Sequence, residues 1–298
     1  MNVLIIGGAS FLGLHLLEKL QESIPSANIY ISSSRKEAIN DKVVLVNYEI
    51  FESVLSLFKD IRPDYIIHLA SCCVREPSFY SLNKGKLRDD HIVKALSRLE
   101  WSPRFIFIAS MAVFSMSDKQ IIPLRYQPES NYGLEKLNMI NKLLSSAENN
   151  VKIRCKIVYP SSIYGKGQSG RMFLPRLLDH IEQKQLMVAF GGNKKRDFIH
   201  VEDVSRMLVE LVLGFDSYLH QHIFLHSFTL YKISDVAALA CKTRHLDPKE
   251  VIVFKDSDDE FGKDALEFQV VSKKDTFRYN FRTRISLIEG LQEMFEKA

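Results

Sequence analysis

Cysteine is scarce: four in 298 residues, at positions 72, 73, 155 and 241, with no C-x-x-C spacing. Adjacent cysteines rarely bridge each other, so neither a disulfide framework nor a zinc site is indicated, and a reducing, cytoplasmic setting is expected. No apolar run reaches the ~18 residues of a membrane span, so no membrane association is expected. The opening run MNVLII has no basic segment before it, and its continuation carries Glu18 and Lys19 on an amphipathic pattern. It reads as a core strand and helix, not a signal peptide. Charge of one sign is also lacking. The net charge is +4, and basic residues gather only in short clusters such as Arg35-Lys36, Lys194-Lys195-Arg196 and Lys273-Lys274. A nucleic-acid footprint is larger and more one-sided, so no nucleic-acid partner is expected, whereas small anionic molecules fit. Internal repeats, low-complexity stretches and flexible linkers are absent as well.

What is present is an alternation. Val3–Ile6, Asn28–Ile31, Val43–Val46, Tyr65–Leu69, Arg104–Ala109 and Cys155–Tyr159 are short apolar runs. Between them lie helical patterns over Phe11–Gln21, Glu52–Lys59, Asn83–Leu99 and Tyr132–Ala147. Continuous apolar strands alternating with amphipathic helices predict an α/β fold, a doubly wound parallel sheet covered on both faces. Ligands then bind at the carboxyl ends of the strands. After Tyr159 the rhythm changes: loops lengthen, helices Phe173–Lys184 and Val204–Leu213 intervene, and a terminal amphipathic helix covers Ile285–Glu296. The expected division is residues 1–164 and a smaller lobe over 165–298, with about 197–225 returning to the first.

Three stretches carry chemistry. Residues 7–13 read GGASFLG between a strand and a helix. Gly7 can make the turn and Gly13 can let the helix pack on the sheet. The middle place, Ser10, must let the backbone approach phosphate oxygens; serine is small and its hydroxyl can bond a phosphate. Residues 132–136 read YGLEK, placing Tyr132 and Lys136 one helical turn apart. A Lys ammonium lowers a phenol's pKa, and the phenol then gives or takes a proton. Ser110, in FIASMAVFS, falls at the carboxyl end of a predicted strand.

In this order, the pieces resemble the extended short-chain dehydrogenase/reductases, the NAD-dependent epimerase/dehydratase family acting on nucleotide sugars. GGASFLG is similar to the family's G-x-x-G-x-x-G. HLAS at 68–71 resembles H-L-A-A, and Asn83 the asparagine of N-V-x-G-T that steadies the active-site strand and helix. SMAVF at 110–114 resembles S-x-x-V-Y, and YGLEK supplies the Tyr and Lys. YPSSIYGKG at 159–167 resembles R-P-x-x-V-Y-G-P-G, and KRDFIHVEDV at 195–204 resembles R-D-F-x-H-V-x-D-V. The resemblance implies a Rossmann-like domain with a C-terminal substrate-binding lobe. It implies catalytic Ser110, Tyr132 and Lys136. It also implies a dinucleotide held by Gly7, Ser10, Phe11, Leu12, Gly13, Ser33, Ser34, Arg35, Asn47, Tyr48, Leu69, Ala70, Ser71, Pro160 and Ile163, with Tyr132 and Lys136. His68 and His200 are read as packing residues. A homodimer through the Tyr-Lys helix is expected; Leu137, Ile140 and Leu144 suit either that interface or burial in the monomer.

Departures from the pattern narrow the reading. Relatives that eliminate water carry an acidic pair just after the catalytic serine, where this chain has Met111 and Ala112, so a dehydratase is not expected. The second strand ends YISSSRK, without the Asp that holds a ribose 2′-hydroxyl. Ser33, Ser34 and Arg35 favour NADP over NAD. Asn47 and Tyr48 stand where an adenine-binding Asp is common. Met172 replaces an Asn that precedes L-x-P, which leaves Arg171 and Arg196 as candidates for a substrate diphosphate. Tyr159 replaces an Arg beside the nicotinamide, and Cys73 follows HLAS; both are candidate substrate contacts. The expected activity is NADP-dependent reduction of a 4-keto-6-deoxy nucleotide sugar in polysaccharide or antibiotic-sugar synthesis. The alternatives are an NAD-dependent C4 epimerase and a non-catalytic dinucleotide-binding relative. No metal is expected.

Overall fold

The computed structural model describes residues 1–34, 43–70, 79–114, 126–149, 153–255 and 282–296. Of the sequence-derived candidates, Arg35, Ser71 and Cys73 lie outside these residues.

The main sheet has seven strands: β1 (Asn2–Ile6), β2 (Asn28–Ser33), β3 (Val43–Leu45), β4 (Tyr65–His68), β5 (Arg104–Ile108), β6 (Arg154–Pro160) and β10 (His222–Leu225), ordered β10-β6-β5-β4-β1-β2-β3. The pairings from β3 through β6 are parallel, with Leu4 opposite Ile66 and Tyr30, and Phe105 opposite Ile66 and Cys155. Val3–Ile6 are completely buried, as are Ile66, Ile67, Phe105 and Ile106. That burial explains the uninterrupted apolar runs: such strands are covered by helices on both faces. The order reverses at β1 and β4, where a doubly wound sheet opens a crevice at its carboxyl edge.

Helices α1 (Phe11–Ser23), α2 (Phe51–Ile61), α3 (Phe79–Ser97) and α4 (Asn131–Asn149) connect these strands. Helix α1 buries Leu12, Leu16, Leu17 and Leu20, one stripe at helical spacing. Helix α2 ends at Arg62, which takes a left-handed conformation (φ 47°) just ahead of Pro63. Leu57, Phe58 and Ile61 form its buried face.

The second body holds β7 (Ser162–Tyr164), α5 (Phe173–Gln183), β8 (Met187–Phe190), β9 (Lys195–His200), β11 (Leu230–Lys232), α7 (Ile233–Lys242), the one-turn α8 (Pro248–Val251), β12 (Ile252–Lys255) and α9 (Leu287–Phe295). Helix α6 (Val201–Leu213) begins in it and continues into the sheet body. The compact units are Met1–Ser115, Arg125–Tyr159 and Ser205–Phe224 on one side, and the remaining described residues on the other. The second unit has a three-stranded sheet ordered β11-β9-β7 and the parallel pair β8–β12. Leu174, Leu177, Ile181, Val236, Ala240, Leu291 and Phe295 form its core. Two buried carboxylates pin its loops. Asp197 accepts from Ser161 Oγ and from the Ser227 and Phe228 N–H groups; Asp203 accepts from the N–H groups of Arg284 and Ile285. No helix among the described residues is long and apolar enough to cross a membrane.

Candidate active site

The loop after β1 is built for close approach. Gly7 has φ 79°, and a Cβ there would lie 2.9 Å from Ala70 N. A side chain is therefore excluded both by conformation and by the loop after β4. At Gly13 a Cβ would fall 2.4 Å from Gly8 O, so the first turn of α1 presses onto the loop itself. Ser10 is different. Its φ of −87° is ordinary, and its Oγ caps α1 by accepting from Gly13 N at 3.3 Å. A side chain is thus tolerated at the middle place, where it serves as the N-cap. The hydroxyl accepts within the helix and keeps its own proton for an anion. Phe11 is half-buried with its ring edge against His15, and Leu12 is buried beneath the helix. Both would meet a phosphate through backbone N–H groups, where the helix dipole is positive. This cradle fits a dinucleotide pyrophosphate.

The second strand's end divides. Ser33 is buried and Ser34 exposed. Asn47 is exposed, and its Oδ1 accepts from Glu49 N at 3.0 Å. Tyr48 corrects an expectation: its side chain is only 6% exposed, and its hydroxyl meets Ser32 Oγ at 2.7 Å. Burial pushes its pKa up to about 12. The aromatic ring fills the core behind the strand, so the Tyr48 side chain is a packing group and only its backbone is left to meet an adenine.

At the carboxyl end of β5 the chain makes a 3₁₀ turn over Met111–Val113, and Ser110 caps it by accepting from Ala112 N at 3.1 Å. Ser110 is partly exposed. Its lone pair is engaged by the turn, which leaves the O–H to donate outward. Met111 and Ala112 are buried, at 2% and 5% exposure, so the turn offers no acid or base from those positions. The start of α4 sits flush on this turn: a Cβ on Gly133 would be 2.2 Å from Ala112 O. That contact brings Tyr132, partly exposed, to the same sheet edge as Ser110. Lys136 is 3% exposed. Its Nζ donates to Ile108 O at 2.8 Å and lies over the rings of Phe107 and Tyr132, at 4.9 and 5.9 Å. An ammonium has three donors, so this anchoring is compatible with a ribose hydroxyl bond as well.

Leu69 and Ala70 follow β4, both partly exposed, with Leu69 N bonded to Ile6 O. His68 is completely buried, as expected of a packing residue. Asn83, expected to steady the active-site strand and helix, is exposed on α3. Beside the Tyr-Lys pair it is Arg88 of α3 that reaches α4, its Nη2 donating to Glu135 Oε1, while Asp90 pairs with Lys142 farther along the helices. Sequence reading passed over Arg88, Asp89 and Glu135 because charges on amphipathic helices normally mark solvent.

Tyr159 corrects a second expectation. It is completely buried in β6, with its hydroxyl 2.8 Å from Tyr126 Oη and 3.0 Å from His222 Nδ1. Its ring stacks on Phe224 at 4.9 Å and packs on Phe114. Burial drives its phenol pKa strongly upward. No face of Tyr159 is open to a substrate; it is the hub of an aromatic cluster.

In the second unit, Pro160 is buried and Ile163 partly exposed. Arg171 is exposed; Met172, 48% exposed, is the N-cap position of α5 and makes no side-chain cap. Arg196 is half-buried on β9, where it pairs with Tyr231 of β11. His200 is buried, 3.5 Å from Glu293.

Comparison with known proteins places this geometry. The model of the NAD dependent epimerase/dehydratase family matches residues 3–225. UDP-glucuronic acid decarboxylase 3 of Arabidopsis thaliana is 26% identical over 73% of this chain and 68% of its own length. GDP-6-deoxy-D-talose 4-dehydrogenase of Aggregatibacter actinomycetemcomitans is 23% identical over 71% of this chain and 70% of its own. Among solved structures, UDP-glucose 4-epimerase of Thermus thermophilus, complexed with NAD, superposes with a TM-score of 0.81 at 15% identity, covering all of both chains. The Rossmann-like seven-stranded sheet agrees with these matches: this chain belongs to the NAD dependent epimerase/dehydratase family.

Proposed function

We propose that this protein reduces the C4 ketone of a 4-keto-6-deoxy nucleotide sugar, with NADP as the dinucleotide. The observation that carries the reading is the 3₁₀ turn after Ser110. The proton-handling Ser110, Tyr132 and Lys136 are all present, while Met111 and Ala112 fill the adjacent positions with buried apolar groups. Such a site can move one proton to a carbonyl oxygen but lacks the second acid–base pair that removing water requires. The relative named for 4-dehydrogenation of a 6-deoxy sugar nucleotide acts at the corresponding carbon.

When bound, the dinucleotide supplies a hydride to the carbonyl carbon. The chain supplies the rest. Gly7, Ser10, Phe11, Leu12 and Gly13 hold the pyrophosphate on the N-terminus of α1. Ser33 and Ser34, with Arg35, take the ribose 2′-phosphate; no acid stands at that strand end to oppose it. Asn47, Leu69, Ala70, Ser71, Pro160 and Ile163 complete the dinucleotide contacts. Ser110 donates its O–H to the substrate oxygen, and Tyr132 Oη delivers the proton to that oxygen as negative charge develops. Lys136, held by Ile108 O, stabilises the tyrosinate left behind and grips a ribose hydroxyl. Arg171 and Arg196 take the substrate diphosphate by forked hydrogen bonds, with Met172 and Cys73 beside the substrate. A cytoplasmic homodimer is proposed with it.

Nicotinamide fluorescence during titration with NADPH and NADH, preceded by a spectrum of the protein as purified, tests the reading. Preference for NADPH, no retained dinucleotide, and NADPH oxidation with a 4-keto-6-deoxy nucleotide sugar are expected. Retained NAD with interconversion of C4 epimers would overturn it in favour of an epimerase. Binding without any turnover would leave a dinucleotide-binding protein that is not an enzyme.

A further inference from the structure

Four ionisable side chains form a buried chain beside the Tyr132–Lys136 helix, and no step above uses them. Arg88 on α3 donates from Nε to Asp89 Oδ1 at 2.8 Å and from Nη2 to Glu135 Oε1 at 3.0 Å. Asp89 Oδ1 lies 3.4 Å from His68 Nε2. His68, Asp89 and Glu135 are 0%, 2% and 5% exposed, and the Arg88 side chain 12%. The helices make room for the chain: a Cβ on Gly85 would fall 2.6 Å from Glu135 Oε1.

The protonation states are consistent along it. Burial pushes the His68 pKa down to about 4, outweighing the pull of Asp89, so the imidazole is neutral at physiological pH. Nε2–H then donates to Asp89, and Nδ1 stays a bare acceptor. Burial raises the Asp89 carboxyl, but the Arg88 charge and the His68 hydrogen bond outweigh it, leaving the group below its ordinary range. Arg88 is held firmly charged by its two carboxylates despite burial. Two carboxylates on one guanidinium leave an excess negative charge, next in sequence to the buried cation Lys136.

Each end of the chain abuts a site element. Glu135 immediately precedes Lys136, and His68 immediately precedes Leu69 and Ala70, the latter in contact distance of Gly7. A guanidinium is planar, and its donors leave at fixed angles, so engaging carboxylates from two directions fixes orientation as well as distance. Among the described residues, the groups near the Tyr132–Lys136 pair include Ile108 O and Phe107 from β5, Ser110 and the Ala112 carbonyl from the 3₁₀ turn, and His68 from β4, whose titration is affected by Lys136. From α3 come Arg88 and Asp89. Glu135 is the only one of the four chain members carried on α4 itself.

We propose that Arg88, clamped between Asp89 and Glu135, is a positioning residue: it sets the rotation of α4 against α3 and β4 and thereby seats the Lys136 ammonium on Ile108 O of β5, within reach of the Tyr132 ring. This rests on the proton-donor role given to Tyr132 above. A merely structural role predicts something else, because well-packed apolar residues replace buried ion pairs without loss of stability in many proteins.

The test is a titration of tyrosinate absorbance on the full chain, taken as the difference between each protein and the same protein carrying Tyr132→Phe. With the native chain, Tyr132 ionises at least one pH unit below free tyrosine. In the triple variant Arg88→Met, Asp89→Leu, Glu135→Leu, the clamp's own charges are removed together so that none of them is left unpaired, and the ionisation constant of Tyr132 falls at least tenfold toward the free value. Arg88→Lys keeps the charge but loses the fork, and an intermediate shift is expected. Unchanged Tyr132 ionisation in a cooperatively folding triple variant would overturn the inference alone; if the triple variant does not fold, unchanged ionisation in Arg88→Lys does so. Native Tyr132 titrating like free tyrosine would instead sink the proton-donor assignment, and the inference with it.

Discussion

Gly133→Ala adds one methyl group at the most confined point of the site. The new Cβ would lie 2.2 Å from Ala112 O, 2.9 Å from Pro128 Cβ and 3.0 Å from Ala112 C. Ordinary contact begins near 3.4 Å; the Ala112 atoms are backbone and the Pro128 Cβ is fixed in its ring, so no side-chain rotation relieves them. Helix α4 and the 3₁₀ turn must separate by about 1 Å. Overpacking of this kind costs ~1–3 kcal/mol. Alanine's better helix propensity offsets about 1 kcal/mol of that, so the net loss of stability is ~0–2 kcal/mol and the variant still folds. The catalytic cost is larger, because Ser110 is carried by the turn and Tyr132 by the helix, and a displacement of about 1 Å between reacting groups lowers turnover ~100-fold. Urea unfolding would read the small term. NADPH oxidation with a 4-keto-6-deoxy nucleotide sugar would read the large one, with the dinucleotide Kd as a control. Full activity in Gly133→Ala would refute the view that the helix–turn contact sets the spacing of the two hydroxyls.

Other perturbations separate the parts of the site. Tyr132→Phe should abolish turnover while leaving the dinucleotide Kd within about twofold, measured by nicotinamide fluorescence, since binding of the pyrophosphate is carried by the loop. Gly7→Ala, which forces a side chain onto φ 79° and against Ala70 N, should weaken dinucleotide binding at least tenfold; unchanged affinity would remove the loop from the cofactor site. Tyr159→Phe loses hydrogen bonds to Tyr126 and His222, and a loss of ~1–2 kcal/mol in urea unfolding with KM for the sugar unchanged is expected. His68 makes stability fall in acid. Its folded pKa of about 4 lies below the ordinary 6.5, so as pH drops the unfolded chain takes up the proton first. The loss accumulates from about pH 6.5 down to about pH 4 and approaches ~3 kcal/mol. Urea midpoints across that window should show a slope that His68→Gln removes.

The sheet was legible because its strands are buried on both faces: Val3–Ile6 and Tyr65–His68 cannot alternate with polar residues, so they stand out in the sequence. The Tyr132–Lys136 pair was legible because it lies within one helical turn, and local spacing needs no tertiary information. Tyr48 and Tyr159 were misjudged for the converse reason. A tyrosine has a polar tip on a large apolar body, and whether the tip meets a ligand or Ser32, Tyr126 and His222 depends on chain segments far away in sequence. Arg88, Asp89 and Glu135 were missed likewise. Charges facing solvent and charges facing one another have the same letters, and only the crossing of α3 over α4 at Gly85 tells them apart. Ser10 was read for its hydroxyl toward phosphate, while its capping of α1 follows from a backbone angle that no motif displays.

The place of β10 at the edge of the sheet carries a consequence for synthesis. Strand β6 ends at Pro160, and its outer neighbour begins only at His222, about 60 residues later. At the ~5–20 residues per second of a ribosome, β6 stays an unpaired edge for roughly 3–12 seconds, during which the second unit's Pro160–Val204 segment is being made. That edge runs through Ile157, Val158 and Tyr159, all completely buried once β10 is in place. An exposed apolar edge is a template for pairing with another nascent chain. Chains interrupted between Pro160 and His222 should therefore accumulate in inclusion bodies, and slowing translation across this interval should lower the soluble yield of the intact protein.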